Sequence, residues 1–130
     1  MGSIVVGYIP KPEGRAALRR AVEEAQLRQA RLVVVNTYRG LDSESTEAAV
    51  VLEELRSQLA SSGVEHEIRQ LVRGTDPAED LVSVAEEVGA DFIVIGLRRR
   101  SPVGKLILGS NAQRILLDAP CPVLAVKAEE

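Results

Sequence analysis

Residues 76–96, DPAEDLVSVAEEVGADFIVIG, contain the signals for a helix followed by a buried strand. Asp76 can cap the helix, and Pro77 suits its first position because that position needs no backbone N–H. Apolar residues then recur at helical spacing until Gly89, a residue type that commonly ends helices. The run 91–96 is almost wholly apolar, which is typical of a strand covered on both faces. The stretch therefore predicts part of a parallel α/β fold.

The same alternation of strands and helices extends along the rest of the chain. The five predicted strands are 4–9, 31–37, 64–72, 91–96 and 123–126. Amphipathic helices are predicted from about Pro12, over 48–62, from Pro77 and over about 110–117. The third strand carries so many polar residues that we predict it at an edge of the sheet. Alternating elements of this kind imply right-handed crossovers and a parallel sheet with helices on both faces.

The composition suits a single domain of residues 1–130 and argues against nucleic acid as a partner. The chain has a net charge of −3, so it has no overall basic footprint. Tyr8, Tyr38 and Phe92 are its only aromatic residues, too few for a platform on which bases stack. No apolar run approaches the roughly 20 residues that a membrane span needs. We therefore expect neither nucleic-acid nor membrane contacts.

The sequence offers no catalytic or metal-binding set of residues. His66 is the only histidine and is expected at the surface, because metal sites need several converging ligands. Cys121 is the only cysteine and is expected to serve packing. Since a lone cysteine forms no internal disulfide, we predict a reducing, cytoplasmic location.

The residues that follow the fourth strand are the best candidates for a binding site. Residues 96–111 read GLRRRSPVGKLILGSN and begin where ligands of parallel sheets bind, at the carboxyl ends of the strands. The sequence from Gly109 to Asn111 opens a helix, whose first turn carries unsatisfied N–H groups and a partial positive charge. Gly96 can turn sharply or let a ligand approach the backbone. This arrangement predicts an anion site, with phosphate the commonest biological anion.

Each of these features also has a plain structural interpretation. Gly96 can be an ordinary turn, and Ser110 or Asn111 an ordinary helix cap. The arginines at 98–100 can reach phosphates, or they can form a solvated basic loop. The residues alone leave both possibilities open.

The stretch from Gly96 to Lys127 resembles the C-terminal signature of the universal stress protein family. It contains Gly-x₁₂-Gly-Ser-Asn and ends on Ala-Pro-Cys-Pro-Val-Leu-Ala-Val-Lys. The element order matches that family over essentially the whole chain. The resemblance implies an adenine-nucleotide α-hydrolase-like fold, an open parallel five-stranded sheet of order 3-2-1-4-5.

The resemblance also implies a nucleotide site, for ATP or AMP, with Mg²⁺ if ATP is bound. The residues that would form it are Tyr8, Ile9, Thr37, Gly96, Arg99, Gly109, Ser110, Asn111 and Ala112. The first three would line the base or ribose side, and Arg99 would be a phosphate partner or a lid. Two positions depart from the family pattern, since Arg99 replaces its second glycine and Ile9 stands where ATP-binding members usually carry Asp. If these departures abolish binding, no nucleotide is held.

Two functions follow as expectations. The first is a stress-response regulatory module that binds a nucleotide or another phosphorylated small molecule. The second is a ligand-free homodimeric interaction module, paired through the apolar last strand, Cys121 to Lys127. Slow ATP hydrolysis is disfavoured, because no carboxylate is placed to hold Mg²⁺ or to orient a water once Ile9 replaces the family's Asp.

Overall fold

A computed structural model of the chain describes residues 2–37, 46–70, 76–98 and 108–128. The strands are β1 Ser3–Tyr8, β2 Arg31–Asn36, β3 His66–Gln70, β4 Phe92–Leu97 and β5 Val123–Lys127. The helices are α1 Pro12–Arg28, α2 Thr46–Ser62, α3 Pro77–Val88 and α4 Ser110–Asp118. Each predicted strand and helix is present, with ends that differ by one or two residues. The last two residues predicted for the third strand, 71 and 72, lie outside the described ranges.

The strands form one parallel sheet in the order β3-β2-β1-β4-β5, as predicted. Val5 of β1 lies beside Val33 of β2 on one side and Ile93 of β4 on the other. The order of the strands reverses between β1 and β4, because the chain adds strands first on one side of β1 and then on the other. Such a reversal opens a crevice at the carboxyl ends of the two strands.

The core lies in two layers, one on each face of the sheet. Alternate residues of a strand point to opposite faces, so Val6 and Val34 pack with α1 and α2, while Val5 and Val33 pack with α3 and α4. Both layers are aliphatic, and the β1 and β2 valines named here are fully buried. Burial on both faces explains why these strands are apolar runs rather than alternating ones.

Of the helices α1, α3 and α4, only α3 begins with a side-chain cap. Asp76 caps α3, since its Oδ1 accepts a hydrogen bond of 2.8 Å from the backbone N–H of Ala78. Gly109 is the N-cap of α4 and forms no side-chain cap. The interpretation of Ser110 or Asn111 as the cap is therefore wrong, because the helix already begins at Ser110. Lys11, the N-cap of α1, also forms no side-chain cap.

The two edges of the sheet differ in character. The edge strand β3 is polar, and Glu67 forms ion pairs with Arg31 and Arg69. His66 is half-buried there, with Nδ1 2.8 Å from the carbonyl oxygen of Val64. The opposite edge, β5, has the apolar sequence VLAVK. Within the described ranges, no helix is both long enough and apolar enough to cross a membrane.

Candidate functional site

A cavity of about 470 Å³ lies at the carboxyl ends of β1 and β4, where the strand order reverses. Its walls come from helices on both faces of the sheet. The first turn of α1 forms one wall, and the starts of α3 and α4 form the other. Seven predicted site residues line it: Ile9, Thr37, Gly96, Gly109, Ser110, Asn111 and Ala112. The fold therefore brings together residues that are up to about a hundred positions apart in the sequence.

Two predicted site residues are not among those that line the cavity. Tyr8 is buried in the core with α1 and α2, and burial raises the pKa of its hydroxyl. Its carbonyl oxygen accepts hydrogen bonds from the N–H of Thr37, at 2.9 Å, and from Thr37 Oγ1, at 3.2 Å. Tyr8 thus holds Thr37 in place through its backbone. Arg99 lies outside the described residues, as does Arg100, whereas Arg98 is exposed and lines the cavity.

Gly96 permits a close approach between β4 and α1. An ideal Cβ on Gly96 would lie 2.0 Å from the carbonyl oxygen of Glu13, far inside van der Waals contact. Gly14 makes a second close approach, since its Cβ would lie 1.9 Å from the carbonyl oxygen of Ile9, just after β1. The interpretation of Gly96 as a turn is wrong, because β4 continues through it to Leu97. The two glycines let the start of α1 lie directly against the strand ends.

The first turn of α4 gives the cavity an anion-attracting wall. The first helical backbone bond runs from the N–H of Gln113 to the carbonyl oxygen of Gly109, at 3.1 Å. The preceding N–H groups of residues 110–112 therefore have no acceptor within the helix, and the N-cap residue Gly109 has no side chain to cap them. Amides that the helix leaves free and the helix dipole together favour a negatively charged group. Lys11 and Arg98, both exposed, add positive charge to the same cavity.

Glu13 is a residue of the cavity that the sequence analysis did not identify. It lies in the first turn of α1, lines the cavity and is only 8% exposed. Its Oε1 is buried and has no hydrogen-bond partner within the described part of the chain. The cavity thus contains a carboxylate, whereas the prediction that no carboxylate is placed to hold Mg²⁺ or to orient a water stays a prediction. The one signal in the sequence was the pair Glu13-Gly14 at a helix start, where glycine is unfavourable unless backbones meet closely.

Neither a metal cluster nor a reactive thiol accompanies the cavity in the described ranges. Those ranges contain no group of three or more His, Cys, Asp or Glu residues able to hold a metal ion. Cys121 is free and packs against the core layer of α3 and α4. Burial, and then the negative charge of Asp91, raise the pKa of its thiol. A thiol with a raised pKa is a poor nucleophile, which agrees with the packing role expected for it.

Comparison with known proteins identifies close relatives. The family model described as Universal stress protein family matches residues 1–127. A universal stress protein of Mycolicibacterium smegmatis is 46% identical over 127 residues, which are 95% of this chain and 96% of the relative.

Solved structures of related proteins have the same fold. A universal stress protein from Archaeoglobus fulgidus is 39% identical, with 98% of this chain and 99% of that chain covered and a TM-score of 0.76. A structure of the universal stress protein from that organism in complex with dAMP is 33% identical, with 98% of each chain covered and a TM-score of 0.71. These matches confirm the resemblance and the predicted fold. That residues 1–130 form one domain stays a prediction.

Proposed function

This chain belongs to the universal stress protein family, and we propose that it is a stress-response regulatory module that binds an adenine nucleotide or a similar phosphorylated molecule in the cavity between β1 and β4. The observation that carries the proposal is the uncapped first turn of α4, whose amides line a cavity at the reversal of the strand order. The related protein solved in complex with dAMP supports a nucleotide as the ligand.

The cavity suggests how such a ligand would lie. Its phosphate would bind the amides of residues 110–112, with the side chains of Ser110 and Asn111 as further donors. Arg98 and Arg99 would add charge from the preceding segment. Ile9 and Thr37, at the ends of β1 and β2, would contact the sugar or the base. If the ligand is ATP, Mg²⁺ would arrive with it, coordinated mainly by the phosphates.

Calorimetry with AMP, ADP and ATP tests this proposal. The wild-type protein should bind at least one of them at millimolar concentration or below. Asn111→Asp should weaken that binding at least tenfold, because it places a negative charge beside the phosphate. The substitution also improves the electrostatics of the helix start, so the fold should persist.

Gln58→Glu is the matched control, because it adds the same charge on the exposed surface of α2. It should bind as the wild type does. The proposal is rejected if the wild-type protein gives no heat with any of the three nucleotides.

We also propose that the protein forms a homodimer through β5, within the segment Cys121 to Lys127. The edge strand β5 is apolar, whereas the other edge carries ion pairs. The end of α4, just before it, exposes Leu116 and Leu117, the latter at 83%. An apolar strand at the edge of a sheet is suited to pair with its copy across a two-fold axis. A cytoplasmic location is proposed with it, on the lone free cysteine.

Sedimentation velocity separates the two proposals. The wild-type protein should sediment as a dimer at micromolar concentration, and Ala125→Glu on β5 as a monomer. Gln70→Glu, at the exposed end of β3, is the control and should leave the dimer intact. A monomeric wild type rejects the dimer without touching nucleotide binding. A wild type that dimerises but binds no nucleotide supports the interaction module and rejects nucleotide binding.

A further inference from the structure

We propose that Glu13 sets the specificity of the cavity by accepting a hydrogen bond from the ligand. The cavity would then select phosphorylated molecules that also carry a hydroxyl or amino donor, and would discriminate against bare phosphate or pyrophosphate. This inference rests on the proposed function, since it concerns the other end of the same ligand. Glu13 would be the negatively charged group of the cavity, opposite the first turn of α4, which carries partial positive charge.

The position of Glu13 is fixed by backbone contacts. Its carbonyl oxygen lies where a Cβ on Gly96 would intrude, and the next residue, Gly14, lies directly against the backbone of Ile9. Pro12 begins α1 and restricts the chain just before Glu13. The backbone of Glu13 therefore has little freedom to withdraw from the cavity. Rotation about its terminal torsion is still easy, so either carboxylate oxygen can turn toward a ligand.

One carboxylate oxygen of Glu13, Oε1, is an unfilled acceptor within the described ranges. The residue is 8% exposed, and its Oε1 is shielded from water without a partner in the described ranges. Leaving a buried polar atom unpaired is costly, and more so when the group is charged. Its place in the first turn of α1 offsets a part of this cost through the helix dipole but supplies no donor to Oε1. A donor brought by a ligand would remove the deficit.

The two walls of the cavity favour different chemical groups, which one ligand could carry at its two ends. The amides of α4 favour an anion, while Glu13 repels an anion and attracts an O–H or N–H group. A nucleoside monophosphate meets both requirements, because its ribose hydroxyls and exocyclic amine are donors at a distance from the phosphate. Inorganic pyrophosphate meets only the first.

Titration calorimetry on the full chain tests the inference, with EDTA present to exclude cation bridges. The proteins are the wild type, Glu13→Gln and Glu13→Leu. Glu47→Gln is the matched control, because Glu47 lies in the first turn of α2 and is exposed. The ligands are AMP, its 2′-deoxy and 3′-deoxy forms, IMP and inorganic pyrophosphate. Circular dichroism and thermal melting establish that each variant is folded.

We expect Glu13→Leu to bind AMP about tenfold more weakly than the wild type, the usual effect of losing a hydrogen bond to a charged acceptor. Glu13→Gln should show a smaller loss, because its amide oxygen still accepts a hydrogen bond but carries no charge. Both variants should bind pyrophosphate as tightly as the wild type or more tightly. One analogue should bind the wild type and the variants equally, and that analogue identifies the donor. The deoxy forms implicate a ribose hydroxyl, and IMP implicates the exocyclic amine.

Three results would overturn the inference. The first is wild-type affinity for AMP in both Glu13 variants, which leaves the proposed function standing. The second is an equal loss of AMP and pyrophosphate binding, which would make Glu13 a structural support of the cavity. The third comes from repeating the titrations with Mg²⁺ in place of EDTA: a loss of binding seen only with Mg²⁺ would make Glu13 a cation ligand. A wild type that binds none of the ligands rejects the proposed function, and the inference with it.

Discussion

Each end of α1 has a buried glutamate, and the two glutamates differ in how their carboxylates are paired. Glu13 in the first turn and Glu24 near the last are both 8% exposed. Glu24 is held by Arg20 at 3.2 Å and by Arg28 at 3.1 Å, one helical turn away on either side. Glu13 lines the cavity with its Oε1 unpartnered in the described ranges.

The difference shows that burial alone does not indicate the role of a carboxylate. Glu24 is a structural residue, because its charge is matched by arginines that the helix itself supplies. Glu13 carries a cost that the described part of the fold offsets only in part, and such costs tend to persist where a function needs the group. Four substitutions test this contrast, and they are ordered by the size of the expected effect.

The largest effect is expected from Gly96→Ala, which disrupts the close backbone contact between β4 and the first turn of α1. The added methyl group would meet the backbone of Glu13, which cannot move aside as a side chain can. We expect a loss of about 3 kcal/mol in the free energy of unfolding, measured by urea denaturation. Gly63→Ala is the comparison, because Gly63 has a φ of 73° and nothing within 4 Å. It should lose only about 1 kcal/mol, from backbone strain, and equal losses would contradict the steric explanation.

The next effect concerns Asp76, the N-cap of α3, a carboxylate whose two oxygens both accept hydrogen bonds. Oδ1 caps α3, and Oδ2 accepts a hydrogen bond from Arg114 of α4. Asp76→Ala should lower the free energy of unfolding by about 1.5 kcal/mol through the loss of the cap. Asp76→Asn, which can still cap, should lose clearly less. If both variants unfold like the wild type in urea, the cap contributes nothing.

A smaller effect is expected at the paired end of α1. Glu24→Gln removes two ion pairs whose arginines are about half exposed, so we expect a loss of about 0.8 kcal/mol. The loss should shrink when denaturation is repeated in about 1 M NaCl, since salt screens such pairs. Glu23→Gln is the control, because Glu23 is exposed and lies 3.9 Å from Arg20. A salt-independent loss would point to packing rather than charge.

The smallest effect, and one of opposite sign, is expected at Glu13. Glu13→Leu removes the unfilled acceptor and should raise the free energy of unfolding by about 0.5 kcal/mol. Urea denaturation of Glu13→Leu and of Glu24→Leu compares the two glutamates directly. Glu24→Leu should lower the free energy of unfolding, whereas Glu13→Leu should raise it. Destabilisation of similar size in both would show that Glu13 has partners that support the fold.

The fold was predictable because each element carries its own signal. The buried strands are apolar runs, and α3 is bounded by Asp76 and Gly89, which cap it as expected. The arrangement of the strands followed from the resemblance of the C-terminal segment. What the local signals did not fix was the last residue of each element. The strand β1 ends at Tyr8, and because successive side chains alternate between faces, Tyr8 points into the core and Ile9 reaches the cavity.

The residues of the candidate site could be predicted from the sequence itself on the α4 side and at Gly96, whereas Ile9 and Thr37 followed from the family resemblance. Gly109, Ser110 and Asn111 are adjacent in the sequence and form the helix start that their types suggest. Glu13 could not be placed, because its location depends on how α1 is rotated about its axis against β4. That rotation is set by Gly14 and Gly96, which lie in different elements, and no local pattern relates them.

The walls of the cavity belong to helices that lie on opposite faces of the sheet, and this has a mechanical consequence. A molecule that contacted both α1 and α4 would link the two helical layers at the carboxyl end of the sheet. Local unfolding of either helical layer would then require release of the ligand. The ligand concentration would therefore set how often each face of the protein opens locally. Occupancy could thereby be sensed on both surfaces without any change in the path of the backbone.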